Sequence, residues 1–325
     1  MWFPSRLQNR ASSDVSRSPS PLRSARFRPR LEFLEGRVVP STLTVTNTLD
    51  DYTPGSLRGD IDVAHSGDTI AFDPGLAGQQ ILLSGSELDV NTNLTIQGLP
   101  AGSVINGGGL SRLFAVHAGV SVTLTNLTIT GGIDISYSGA FEDATEGEGA
   151  GIFNLGTLTV QNCMVTGNTG EFGGPRGGGG IFNGVGATLT VAGSTLSANS
   201  AASNGGGIFN DGTLTVTGST LSGNTAGDGG GIYNAFASSK ASATLSISGS
   251  TLSGNSAGFE GGGIDNYYGS QATVMNCTIT GNTAGYEGGG IYNAGRLTIG
   301  GSAFSANTPD DVFGGYTNKK GNTFG

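Results

Sequence analysis

Gly207-Ile-Phe-Asn-Asp-Gly-Thr-Leu-Thr-Val-Thr-Gly-Ser-Thr-Leu-Ser-Gly-Asn-Thr225 is the stretch on which the fold turns. Leu214 and Val216 alternate with Thr213, Thr215 and Thr217, and Leu221 sits between Thr220 and Ser222. Alternation with a period of two over runs this short belongs to β-strands, and the Gly, Asn and Ser between the runs are turn formers. The pattern recurs with its Ile at Ile152, Ile181, Ile208, Ile232, Ile264 and Ile291, and a second Asn closes each unit at Asn168, Asn199, Asn224, Asn255, Asn282 and Asn307. Three short strands with no helical crossover cannot bury an apolar side alone, so successive units must stack. The expected fold is therefore all-β: a parallel β-helix of three sheets and roughly eight coils. Because crossovers between parallel strands are overwhelmingly right-handed, a right-handed solenoid is expected.

The inward columns follow from the repeat. One is Leu158, Leu189, Leu214, Leu245, Ala272 and Leu297; the next is Val160, Val191, Val216, Ile247, Val274 and Ile299; a third is Val165, Leu196, Leu221, Leu252, Ile279 and Phe304. Leu94 to Ile96, Leu113 to Val116 and Val122 to Ile129 fit the same register upstream. Cys163 and Cys277 share a column with Ser194, Ser219, Ser250 and Ser302. Four coils at ~4.8 Å put the two sulfurs' backbones about 19 Å apart, against the ~7 Å that a disulfide tolerates, so both are expected as buried free thiols. Pro54 to Arg58 starts a short helix with Ser56 as N-cap, Leu57 and Ile61 on one face and Gly67 as its stop. The organisation expected is a basic disordered leader over 1–40, an N-terminal cap over 41–73, the β-helix over 74–307 and a tail over 308–325.

Composition narrows the function. Glycine takes 60 of 325 positions without a strict triplet period, which excludes collagen. No apolar run approaches the ~18 residues of a membrane-spanning helix. Two His and two Cys leave little room for a His-based triad or a Cys/His metal site, while carboxylate chemistry stays open. Residues 1–40 carry a net +5 and the remainder a net −14. So acidic a body argues against nucleic acid as partner, since a nucleic-acid surface needs Lys and Arg against the phosphates.

Two segments resemble known families. Arg28-Pro-Arg-Leu-Glu-Phe-Leu-Glu-Gly-Arg-Val-Val-Pro-Ser41 resembles the short sorting motif of large planctomycete surface proteins, which implies export. Thr44 to Thr48, Pro54 to Arg58 and Gly67-Asp-Thr-Ile70 with Phe72, together with the GGGI(F/Y)N and SGNTA repeats, resemble the parallel β-helix repeat proteins of bacterial surfaces, relatives of the chlamydial polymorphic outer-membrane protein repeats. The tail from Asn307 to Asn322 is similar to the end of the choice-of-anchor β-helix families. The resemblance implies an extracellular or cell-surface solenoid.

Candidate sites form columns as well. Four residues before the repeat Ile lie Glu148, Gly177, Asn204, Asp228, Glu260 and Glu287. Stacked carboxylates repel unless hydrated or bridged, and Asp228, Glu260 and Glu287 are the candidate calcium ligands. Phe153, Phe182, Phe209, Tyr233, Asp265 and Tyr292 form an adjoining column; with the Ile inward they stack on the outer face, and Phe209, Tyr233 and Tyr292 are the candidate glycan-binding residues. The Asn columns read as structural ladders. Arg112, Arg176, Lys240 and Arg296 fall on different coils and form no lyase-like set, and Asn47-Thr-Leu-Asp-Asp51 is only an echo of a polygalacturonase motif. The expected function is a non-enzymatic surface or secreted module, adhesive or structural, whose partners are polysaccharide or other surface components. The alternative is a calcium-dependent polysaccharide-binding or lyase-like protein.

Overall fold

The computed structural model describes residues 39–134, 149–170, 177–235 and 242–325. Residues 39–325 form one unit, a parallel β-solenoid. Most of the leader, Glu148, Arg176 and Lys240 lie outside the described residues. One coil shows the plan. Ile208–Asn210 leads into Thr213–Thr217, then Thr220–Ser222, then the two-residue strand Thr225–Ala226, before the next Gly-rich segment returns the chain to Ile232. Corresponding strands pair in parallel from coil to coil, giving sheets of nine, eleven, ten and six strands. The three longer sheets are those the alternation predicts. The six-stranded one is additional: its strands are two residues long, too short for a period to register. Nine coils pass through the Ile-bearing sheet, one more than expected.

The core is the set of columns read from the repeat. Leu158, Leu189, Leu214, Leu245, Ala272 and Leu297 are rung partners in sequence, and all are buried, as are the two other columns. They join one continuous apolar cluster that runs from Val45 to Phe304.

Two polar ladders lock the corners. Each closing Asn is buried; Asn224, for example, donates from Nδ2 to the Leu196 carbonyl (3.0 Å) and to Asn255 Oδ1 (2.9 Å). Its own Oδ1 accepts from the backbone N–H (3.1 Å) and the Nδ2 (3.0 Å) of Asn199. The repeat Asn residues form the second ladder, with Asn154, Asn183, Asn210, Asn234 and Asn266 each donating to the next Oδ1 at 2.6–2.8 Å. These ladder Asn residues do not themselves take the left-handed turn conformation. The residue before each closing Asn does: Gly167, Ala198, Gly223, Gly254, Gly281 and Ala306, with φ of 51–63°. The wealth of glycine has a second cause. A Cβ on Gly207 would lie 2.5 Å from the Gly231 carbonyl oxygen of the next coil, so the backbones pack with no space for a side chain.

At the N-terminal end, helix α1 (Leu57–Val63) is capped by Ser56, whose Oγ accepts from the Gly59 N–H, and it buries Leu57 and Ile61. It ends at Val63, four residues before Gly67. Arg58 Nε bonds Asp50 at 2.7 Å and its terminal nitrogens bond the Ser86 and Glu87 carbonyls, fixing the helix to the first coils. At the other end, Val312–Phe313, Thr317–Asn318 and Thr323–Phe324 add one last rung to each of the three longer sheets.

Candidate functional site

The aromatic column exists and its rings do stack. Phe153, Phe182, Phe209 and Tyr233 follow one another at 5.3 Å between centroids, within about 21° of parallel. The Ile residues point into the core and the rings to the other face, as alternation requires. The rings are nonetheless buried: with Ala235 and Leu155 they form a second apolar cluster, in which Phe209 keeps 2% and Tyr233 8% of its surface. Phe209 and Tyr233 therefore offer no open platform to a sugar, a correction to the expected ligand strip. Alternation fixes which side of a strand a ring takes and says nothing of what packs over it. Tyr292 is half-buried, on the far side of Asp265, and stacks on Phe313 at 5.5 Å. The column begins under a cation: the Arg112 guanidinium lies 4.6 Å from the Phe153 ring centroid and bonds Glu87, Asp134 and the Gly149 carbonyl. Arg112 is thus a structural residue.

Asp265 interrupts the column. It pairs in register with Tyr233 on one side and Tyr292 on the other, and it is 1% exposed. A carboxyl is shorter than a ring, and Tyr267 fills the space left, its ring 5.8 Å from that of Tyr233. Asp265 Oδ1 is buried without a hydrogen-bond partner. Burial first, then the charges of Asp228 and Glu260, push its carboxyl well above the usual range, so Asp265 holds its proton where ordinary carboxylates have lost theirs.

The predicted acids gather beside it in part. Glu260 and Glu287 are bridge partners on adjacent coils, and Asp228 pairs with Asn204. Asp228 Oδ1 accepts the Glu260 backbone N–H at 3.0 Å, which ties the two coils together. Burial raises Asp228. Burial and the Asp228 charge raise Glu260, against a hydrogen bond from the Tyr292 hydroxyl that lowers it. The Tyr233 hydroxyl is in turn pushed far up by burial and by Asp265. The edge is thus a run of carboxyls and phenols in a partly dry setting, a place suited to holding protons. Oxygen ligands of this kind suit calcium. Among the described residues, however, no three His, Cys, Asp or Glu side chains gather into a metal-holding group.

A feature missed in the sequence lies on the same edge. Phe259 and Tyr286, each one residue before an acid of the column, stack at 5.8 Å and 9° while 53% and 67% exposed. Tyr268, 70% exposed, stands nearby in sequence beside Tyr267. The signal was weak because the equivalent positions in earlier coils are Ser203 and Gly227, so two rings made no column. The remaining candidates are structural. Asp50 and Asp51 belong to the cap, bonding Arg58 and Thr53. Cys163 and Cys277 are free and buried, and burial pushes the Cys163 thiol up to about 11, which makes it unreactive.

No family model matches the chain, and no curated protein matches it. Among solved structures, the crystal structure of the pectate lyase Pel9A overlays with a TM-score of 0.48 at 10% identity, covering 89% of this chain and 79% of that one. An overlap of that size carries nothing from the lyase's chemistry to the residues here.

Proposed function

We propose that the protein works outside the cell as a non-enzymatic β-solenoid module that adheres to, or helps build, a polysaccharide-bearing surface. The observation that carries this reading is the Phe259–Tyr286 stack. Large rings left standing in water mark contact surfaces, and two parallel, stacked rings present an exposed apolar strip against which sugar rings pack. The rod behind it supports the reading too, because a continuous core and two Asn ladders hold the strip rigid, so little ordering is lost on binding. Export rests on the resemblance of the leader, most of which lies outside the described residues. Protease treatment of intact source cells tests it: loss of the full-length protein without lysis supports surface display, and full protection until lysis overturns it.

A second reading, cleavage of the bound polysaccharide, is favoured by Asp265. Burial and neighbouring charge push the Asp265 and Glu260 carboxyls up, the tuning that acid–base sugar chemistry uses, but Asp265, 1% exposed, would have to be uncovered to reach a sugar. Incubating the protein with polysaccharides, with calcium or with chelator, separates the two. Shortened chains that disappear with Asp265→Asn would establish cleavage and the role of calcium in it. Intact chains in both conditions leave the adhesive reading.

A further inference from the structure

The outward side chains of the eleven-stranded sheet form a lattice. Rung pairing links Thr42, Thr69, Thr95, Thr123, Thr159, Thr190, Thr215, Ser246, Thr273, Thr298 and Thr317 into one column without a slip of register. Over five of those strands a second column, Ser121, Thr157, Thr188, Thr213 and Thr244, runs beside it. The result is an unbroken two-by-five array of hydroxyls, all on half-buried or exposed residues. The third outward position of these strands holds Thr125, Gln161, Ala192, Thr217 or Ser248. On a chain of net charge −9, this patch carries no charge.

Ordinary β-propensity accounts for a few outward threonines, but it does not keep Lys, Glu and Asp off five consecutive solvated strands. A charged partner would leave such a patch without complementary groups, so its match is a neutral, hydroxyl-bonded surface that itself repeats in two dimensions. The mesh decides which. Parallel strands put hydroxyls ~4.8 Å apart across the sheet and ~6.6 Å apart along a strand, two residues at a time. In tetrahedrally bonded water an O–H···O length of ~2.75 Å places second-neighbour oxygens about 4.5 Å apart, and the hexagonal axis repeats at eight-thirds of the bond, about 7.3 Å. The two meshes agree to within about a tenth in each direction. Threonine suits such a contact because its β-branched χ1 is stiff, with a hydroxyl to join the lattice and a methyl to fill its hollows. The Asn ladder at the corner of this sheet, which also bonds the Thr188 and Thr213 carbonyls, is the kind of side-chain ladder that keeps a long sheet flat.

We propose that this face binds ice, with the Thr and Ser hydroxyls of the array taking the places of lattice oxygens. The inference is independent of the aromatic edge. It is tested with the full-length protein by slow growth of an ice hemisphere from dilute solution, beside a non-binding globular protein of similar size. The result expected is enrichment of the chain in the ice, with faceted crystals and a freezing point depressed below the melting point. All three should vanish in Thr190→Tyr/Thr215→Tyr, whose side chains stand off the centre of the array, provided its melting curve matches that of the parent. They should persist in Tyr286→Ala. Exclusion of the unmodified protein from ice, at the level of the reference protein, overturns the proposal without recourse to any variant. So does undiminished ice uptake by the folded double variant.

Discussion

Ala198 and Ala306 stand where the other coils use Gly: left-handed backbone just before a ladder Asn, at φ 51° and 53°. A Cβ costs on the order of 1 kcal/mol there. Ala198→Gly should therefore raise stability by about 0.5–1 kcal/mol in denaturant unfolding, while Gly223→Ala should lower it by a similar amount although its Cβ would meet nothing within 4 Å. Asp265 makes the other residue-scale prediction. Its folded pKa is raised, so its contribution is fully present below the unfolded value of about 4 and is lost as pH rises through the folded value. Asp228 and Glu260 shift in the same direction. The solenoid should lose stability from pH 4 upwards on their account, and Asp265→Asn should flatten that slope in melting curves taken across the range. An unchanged slope would mean that Asp265 is ionised in the fold.

Among the elements, the ladders set the largest penalties. Asn224→Ala removes four side-chain hydrogen bonds and strands the groups around it, which should cost about 2–4 kcal/mol, far more than an exposed Asn. Cys163→Ser and Cys277→Ser should be nearly neutral and insensitive to reductant, because four other coils already place Ser in that column and the Ser194 and Ser219 hydroxyls already bond backbone there. Thermal melts check both. These columns were legible in the sequence because a fixed repeat length sets the register and a period of two sets the side. Three things were not. A two-residue strand has no period, so the fourth sheet was invisible. The positive φ sat on the residue before the Asn, where Gly in four of six coils was the available sign. Phe209 and Tyr233 are buried in a second apolar cluster with Ala235 and Leu155, residues that lie outside the strand alternation, so no strand pattern encodes it.

At the scale of the molecule, the rod presents two surfaces of different character. One edge carries Asp228, Glu260 and Glu287 behind the exposed Phe259–Tyr286 stack, where the sequence supplied the acids and the structure supplied the rings. The eleven-stranded face carries neutral hydroxyls in register. The proposed function turns on the first. The most direct measurement is binding of the full-length protein to a broad panel of polysaccharides, alongside Phe259→Ala and Tyr286→Ala. The account predicts retention on at least one glycan that both substitutions abolish while the melting temperature holds. Binding that survives loss of both rings, or no retention anywhere on the panel, would contradict it.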